Sequence, residues 1–294
     1  MSNQKQEKEL IAQGQHRISQ TYLKQFGYKD KDGKNLISVL DKKRNFIENK
    51  YIKNFTKEEN IFDLPLIDSE RKLEQLNTTL ETHYPEIIWE LKNNGKLSDE
   101  RASNLLDYFP NLLCRTTNFS TVIKYFLQSD KRNLFFDEIT AHYTEWRFFL
   151  GEIHKLKSKK EINLVLPIVM DYLSFGFQHY NYIILTNDRG WATCDNPVMF
   201  IQNGNGYSLL HTEIEIYFPL SRDFLLYVYH PRHHRENDLL SKHPVKSVVH
   251  VNENMAREIY FKTFRHAMQY LIFPVKMEKQ PLFNSTDKLG NSVN

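Results

Sequence analysis

Residues 191–200 read WATCDNPVMF, an apolar run that is cut at Asp195-Asn196-Pro197 and then resumes. Pro197 has no N–H and biases Asn196 towards extended geometry. Asp and Asn side chains bond nearby backbone N–H groups, so the triplet predicts an Asx-type corner at a strand end. Around it, YNYIILTN (180–187), TEIEIYFPLS (212–221) and FLLYVYH (224–230) are β-branched and aromatic runs bounded by Gly, Asn or Pro, the pattern of strands. Together these four segments predict an antiparallel main sheet over about 180–230.

Upstream the period is helical. Leu73, Leu76, Leu80, Ile87 and Ile88 share helical spacing between Asp68 or Ser69, placed as caps, and Leu91, with a bend expected at Pro85. LSDERASNLLDYF (97–109) predicts a second helix with Asp99 and Glu100 in its first turn. PNLLCRTTNFSTVIKYFLQ (110–128), LFFDEITAHYTEWRFFLGEIHKLK (134–157) and INLVLPIVMDYLSFGFQ (162–178) predict three more, the last interrupted at Pro167. Before this block, Leu36–Leu40 and NKYIKNF (49–55) predict a small antiparallel ribbon beside the Asp32-Gly33 turn. After the sheet, VNENMAREIYF enters a helix at about Asn252. The fold class is therefore α+β, an antiparallel sheet built from an N-terminal ribbon and C-terminal strands with a helical block (about 68–178) inserted between them. One domain over 16–274 is expected, flanked by a disordered tail at 1–15 and a polar tail at 275–294.

The 39 basic and 36 acidic residues leave a net charge of +3, too balanced to imply a protein that coats nucleic acid. The two cysteines, Cys114 and Cys194, suggest neither a zinc site nor a disulfide framework, and a cytoplasmic location is expected. No signal-type segment and no run of about 18 apolar residues occurs, so no membrane partner is expected. The P-loop, G-x-G-x-x-G, G-x-S-x-G and H-E-x-x-H patterns are all missing, which disfavours motor ATPases, Rossmann oxidoreductases and zincins.

The polar residues that stand out are few. His16 opens the ordered chain, with Ile18, Tyr22, Leu23 and Phe26 as apolar anchors behind it. Glu74 and Glu81 lie seven apart on one helical face, where a half-buried carboxylate needs a cation, and Arg115 is the candidate. Asp195 and Asn196 are placed to be held at a sheet rim. The cluster YHPRHHRE (229–236) reads as a solvated basic loop; neighbouring His233 and His234 point apart in extended chain, so no metal site is assigned.

Taken in order, QHRISQTYLKQFG, LEQLNTTLE, LLCRTTNF, WATCDNPV followed by FPLS, and VNENMAREIYF resemble a bacterial family catalogued as domain of unknown function 4238, over about residues 15–265. By position the family's motifs map to His16, Tyr22, Leu23 and Phe26, then Glu74, Glu81, Arg115, Asp195, Asn196, Pro197 and Asn252. Ser19 stands where the family usually has Pro, and Cys194 where it usually has Ser, which removes the hydroxyl that a nucleophilic mechanism there would need.

Polar groups drawn from distant segments are how active sites are assembled. The leading expectation is a metal-independent hydrolase or transferase acting on nucleic acid or nucleotide, in a toxin or phage-defence setting. In it His16 is general acid or base, Asp195 its orienter, with Asn196 beside it, and Arg115 the phosphate stabiliser. Tyr22, Glu74, Glu81 and Asn252 serve binding. No cofactor is assigned. The alternatives are a non-catalytic module binding a ligand or a protein partner, and a purely structural polar cluster. Asp195 is further expected to face His16 or Arg115, and the Asp195→Asn change to leave the turn intact.

Overall fold

A computed structural model describes residues 14–59, 72–128, 137, 162–202, 210–232 and 243–281. The chain enters as strand β1 (Gly14–His16), so Gly14 and Gln15 are paired strand rather than tail; the expectation of a tail at 1–13 lies outside the described residues. Ser19 caps the short helix α1 (Gln20–Leu23). The expected ribbon follows as β2 (Tyr28–Lys29), β3 (Asn35–Asp41) and β4 (Phe46–Tyr51), and then β5 (Lys57–Glu59) returns to pair with β1.

The helical block comprises α2 (Lys72–Asn94), α3 (Asp99–Arg115), α4 (Thr117–Gln128) and α5 (Ile162–Phe177). Ser98 caps α3 by accepting from the Arg101 amide, and the Glu90 carboxylate accepts from the Ser98 amide and hydroxyl. Proline breaks none of these helices: α3 runs through Pro110 and α5 through Pro167, each of which was expected to bound or interrupt a helix. The lost hydrogen bond is outweighed by burial of Leu105, Leu106, Tyr108, Phe109, Leu112 and Leu113 on α3 and of Val165, Val169 and Leu173 on α5. The expected caps at Asp68 and Ser69, and the expected helix at 134–157 apart from Asp137, lie outside the described residues.

The C-terminal part supplies β6 (Asn181–Thr186), β7 (Thr193–Cys194), β8 (Met199–Gln202), β9 (Ile214–Pro219), β10 (Leu225–Tyr229), β11 (Val248–His250), helix α6 (Glu253–His266), β12 (Tyr270–Ile272) and β13 (Gln280–Pro281). The strands after residue 180 do not form one sheet. One five-stranded sheet has the order β11-β6-β10-β9-β8, antiparallel except for the β11–β6 pair, and a six-stranded sheet has the order β13-β4-β3-β12-β7 with β2 on β3. The WATCDNPVMF stretch is thus split: β7 pairs with β12 beside the N-terminal ribbon, β8 pairs with β9, and Asp195–Val198 carries the chain from one sheet to the other. The expected C-terminal tail is likewise corrected at Gln280–Pro281, which pairs with β4.

The five-stranded sheet is covered on both faces. Tyr182, Ile184, Ile216, Phe218, Leu226 and Val228 point towards the helical block, while Ile183, Leu185, Tyr217, Leu225 and Tyr227 share a core with Ala256 and Ile259 of α6. Double-sided burial explains why these strands read as continuous apolar runs. At the centre, Tyr22 stacks on Phe218 at 5.4 Å and lies near Phe26 and Tyr84. Its hydroxyl sits 2.8 Å from the Pro219 carbonyl and 2.5 Å from Thr193 Oγ1. Each hydroxyl has one proton, so Thr193 donates to Tyr22 and Tyr22 donates to Pro219, which links β7 to β9 through a side chain of α1.

Tyr22→Phe keeps the ring and deletes that link, leaving a buried carbonyl and a buried hydroxyl short of a partner. The variant is expected to lose about 1–3 kcal/mol in urea unfolding with an unchanged far-UV circular dichroism spectrum. Wild-type stability would show that the sheets are held together by packing alone.

Candidate functional site

The His16 ring is half-buried between the turn after β4 and α1. Its Nδ1 lies 3.1 Å from the Phe55 carbonyl oxygen, which can only accept, so Nδ1 carries the proton. Nε2 is 2.9 Å from the Gln20 amide nitrogen and accepts from it, which leaves a neutral imidazole of fixed tautomer. Burial is the main cause that lowers its pKa below the ordinary value; the Phe55 carbonyl and Glu81 act against this, and Arg115 and Lys57 with it.

Arg115 reaches the backbone of His16. Although it is 4% exposed, it donates to Glu81 Oε1 at 2.5 Å and to the backbone carbonyl of His16. Its own carbonyl accepts from Arg17 at 3.4 Å, and Arg17 pairs with Glu58 on β5. A buried guanidinium is stable only with such partners, because the desolvated charge costs several kcal/mol when unpaired. The helices supply these groups in register: Glu74, Asn77 and Glu81 follow i, i+3, i+7 on α2, and Tyr108, Asn111 and Arg115 follow i, i+3, i+7 on α3. Asn111 donates to Asn77 at 2.7 Å, continuing a polar seam into the helical block. His16, Arg115 and Glu81 are therefore assembled at one place, with Glu74 on the same face of α2.

Asp195 stands elsewhere. Its carboxylate accepts from the backbone amides of Met268, Gln269 and Tyr270 at 2.9, 2.7 and 3.1 Å, and none of its partners is His16 or Arg115. Three successive N–H groups between α6 and β12 use its acceptor capacity, so the expected role of orienting His16 falls to the Phe55 carbonyl instead. Burial is the largest influence on this carboxyl and raises its pKa, against the pull of the three amides. Asn196, also buried, places its side-chain nitrogen 2.6 Å from His266 Nε2, which in turn is 3.1 Å from the Val198 carbonyl. Burial likewise lowers the His266 pKa, with Lys42 acting in the same sense and the Val198 carbonyl against it. The Asp-Asn-Pro corner is thus pinned to the end of α6.

Of the remaining positions, Tyr22 is a core residue with no exposed surface, and Asn252 is the N-cap of α6, accepting from the Met255 amide at 3.0 Å. Burial pushes the Cys194 thiol far up, which removes it as a nucleophile. His233 and His234 lie outside the described residues, and among those described no group of three His, Cys, Asp or Glu side chains could hold a metal. Nor is any described helix long and apolar enough to cross a membrane. Sequence reasoning missed Gln20, Lys57 and His266. It had a usable signal for Asn77 and Asn111, polar residues on the buried stripes of their helices. His266 gave none, since a basic residue in a last helical turn is ordinary.

Two outcomes follow from this geometry. Asp195→Asn replaces one acceptor oxygen with an amide group facing backbone donors, so it breaks the turn rather than sparing it; a loss of about 1–3 kcal/mol in urea unfolding is expected. Wild-type stability would show that two acceptor bonds suffice. The histidines set an acid limit: both folded-state pKa values lie below that of the unfolded chain, so the unfolded state takes up protons first. Their stabilising effect is complete above the unfolded value near 6.5. It falls as pH drops below that, by up to about 1.4 kcal/mol per pH unit per histidine. His266→Asn should flatten the dependence of the urea midpoint on pH between 7 and 5, and an unaltered slope would contradict the assignment.

Comparison with known proteins adds one finding. No curated protein and no solved structure matches the chain. A match to one family covers residues 14–276, the whole span from β1 through β12, and on it the chain belongs to the family described as protein of unknown function (DUF4238).

Proposed function

We propose that the protein is a metal-independent hydrolase or transferase acting on nucleic acid or a nucleotide, with His16 as the proton-transfer group. The observation that carries the reading is the Nδ1–H bond to the Phe55 carbonyl, which leaves the lone pair of a neutral imidazole on Nε2, where the Gln20 amide donates to it, beside a buried ionic cluster. A base of this kind is ready at neutral pH, because burial disfavours its cation. In the step proposed, Nε2 takes the proton of an attacking water or sugar hydroxyl as its oxygen bonds to phosphorus. The P–O bond to the leaving group then breaks, and the leaving oxygen takes back a proton.

Arg115 changes role in this reading. Both of its terminal nitrogens are committed, so it positions the His16 backbone instead of meeting substrate. The cation offered to phosphate is Lys57, which lies directly opposite His16 in the β1–β5 register, on the same face and exposed. Asp195 and Asn196 support the fold around α6. A non-catalytic module that binds a ligand or partner in a defence system is favoured by one feature, the Gln20 amide already on Nε2, which a substrate must displace.

The test compares wild type, His16→Ala and Lys57→Ala on RNA, DNA and nucleotides, alongside growth after induced expression as the readout of the toxin or phage-defence setting. Turnover by wild type that falls at least about 100-fold in His16→Ala, with melting temperature little changed, is the expected result. Lys57→Ala should raise KM more than it lowers kcat. Wild type that binds nucleotide without turnover would favour the binding module, and a His16→Ala enzyme of full activity would overturn the assignment of the base.

A further inference from the structure

Beside α6, away from His16, lies a groove of about 590 Å³, within the range of about 300–1,000 Å³ common for small-molecule pockets. Val251, Ala256 and Leu271 are its buried floor, and Tyr260, Phe261 and Phe264 are its walls. Phe261 is 53% exposed and Phe264 is 38% exposed, an apolar lining left open to solvent.

One end of the groove carries its charged groups, two of them arginines. Arg189 and Arg257 both reach the same oxygen of Glu253, at 2.5 and 2.9 Å, while remaining about two-thirds exposed. Two guanidiniums on one carboxylate oxygen keep most of their N–H donors uncommitted; with Asp188 the four lining charges balance, and the positive excess near the groove comes from the cations beside its walls. Asp188, also in the lining, is 92% exposed and turned towards His250 at 3.7 Å, so its charge is largely solvated. Further cations flank the walls: Arg265 lies 4.2 Å from the Phe261 ring centre and Lys42 lies 4.9 Å from that of Phe264. Tyr260 is fixed by its hydroxyl, which donates to the Gly190 carbonyl at 2.8 Å.

We infer that this groove is a binding site for a small aromatic anion, a flat ring system held between Tyr260, Phe261 and Phe264 with its carboxylate or phosphate on Arg189 and Arg257. The walls supply ring faces for offset stacking. The arginine pair supplies charge-assisted, bidentate hydrogen bonds of the kind planar carboxylates and phosphates accept. Glu253 is the internal competitor: the ligand's anion shares or replaces its contact with the two guanidiniums. The assignment is independent of His16, since the groove and the His16 centre have no residue in common.

Isothermal titration of the full chain with 1-naphthoate, and with 1-naphthalenemethanol as its neutral twin, tests the site. Naphthoate should bind with one-to-one stoichiometry and at least about tenfold more tightly than the alcohol. Arg189→Gln/Arg257→Gln should reduce naphthoate to the level of the alcohol, and Phe261→Ala should weaken both ligands. All these side chains are exposed, and unchanged circular dichroism and melting temperature confirm folding. His16→Ala should bind as wild type does. Competition by 1-naphthyl phosphate, which keeps the ring and changes the head group, would extend the site to the phosphate form of the anion, and its failure would restrict the head group to a carboxylate. Equal affinity for acid and alcohol, or full naphthoate binding by the double arginine variant, would overturn the proposal.

Discussion

The Tyr22 hydroxyl is the contact on which the arrangement of the two sheets turns. It receives a proton from Thr193 at the edge of the six-stranded sheet and gives one to Pro219 in the five-stranded sheet. The ring around it is packed by Phe26, Tyr84 and Phe218. A phenol suits this position because it is large, apolar around the ring and polar at one tip, so it fills the core and satisfies two buried groups at once. Tyr84 repeats the device one strand end away, donating to the Leu220 carbonyl. Through α1, these contacts also fix where His16 stands.

Buried polarity takes two different forms here. At Asp195 a carboxylate meets three backbone amides, and the arrangement makes a rigid turn out of 268–270. At Arg115 a guanidinium meets a carboxylate and the backbone carbonyl of His16, whose ring is half-buried. The first is complete in itself. The second ends at the half-buried His16 ring, the group to which the proposed proton transfer is assigned. The corner still matters to the α6 groove, because the turn it holds leads directly into Leu271 on the groove floor.

Much was legible in the residues alone. β-Branched and aromatic runs bounded by Gly, Asn or Pro after 180, helical stripes before it and the turn signal at Asp32-Gly33 gave the α+β order, because each is a pattern within one element. The shared face of Glu74 and Glu81 was legible for the same reason, as was the value of a buried cation near them. Caps such as Ser98 and Asn252 were within reach too, being local hydrogen bonds between neighbours.

What only the tertiary structure decided is which distant pieces meet. Strands buried on both faces lose their alternation, so nothing in WATCDNPVMF marks the point at which the chain changes sheets. Pro110 and Pro167 read as helix breaks by local rules, yet packing against the core carries both helices through. Asp195 and His16 looked like partners because each carries usable chemistry, but a carboxylate bonds to the donors nearest in space, and those came from residues more than seventy positions away. Sequence spacing determined the elements and the faces they bury; long-range hydrogen bonding and packing, which no local pattern encodes, determined which polar groups form a site.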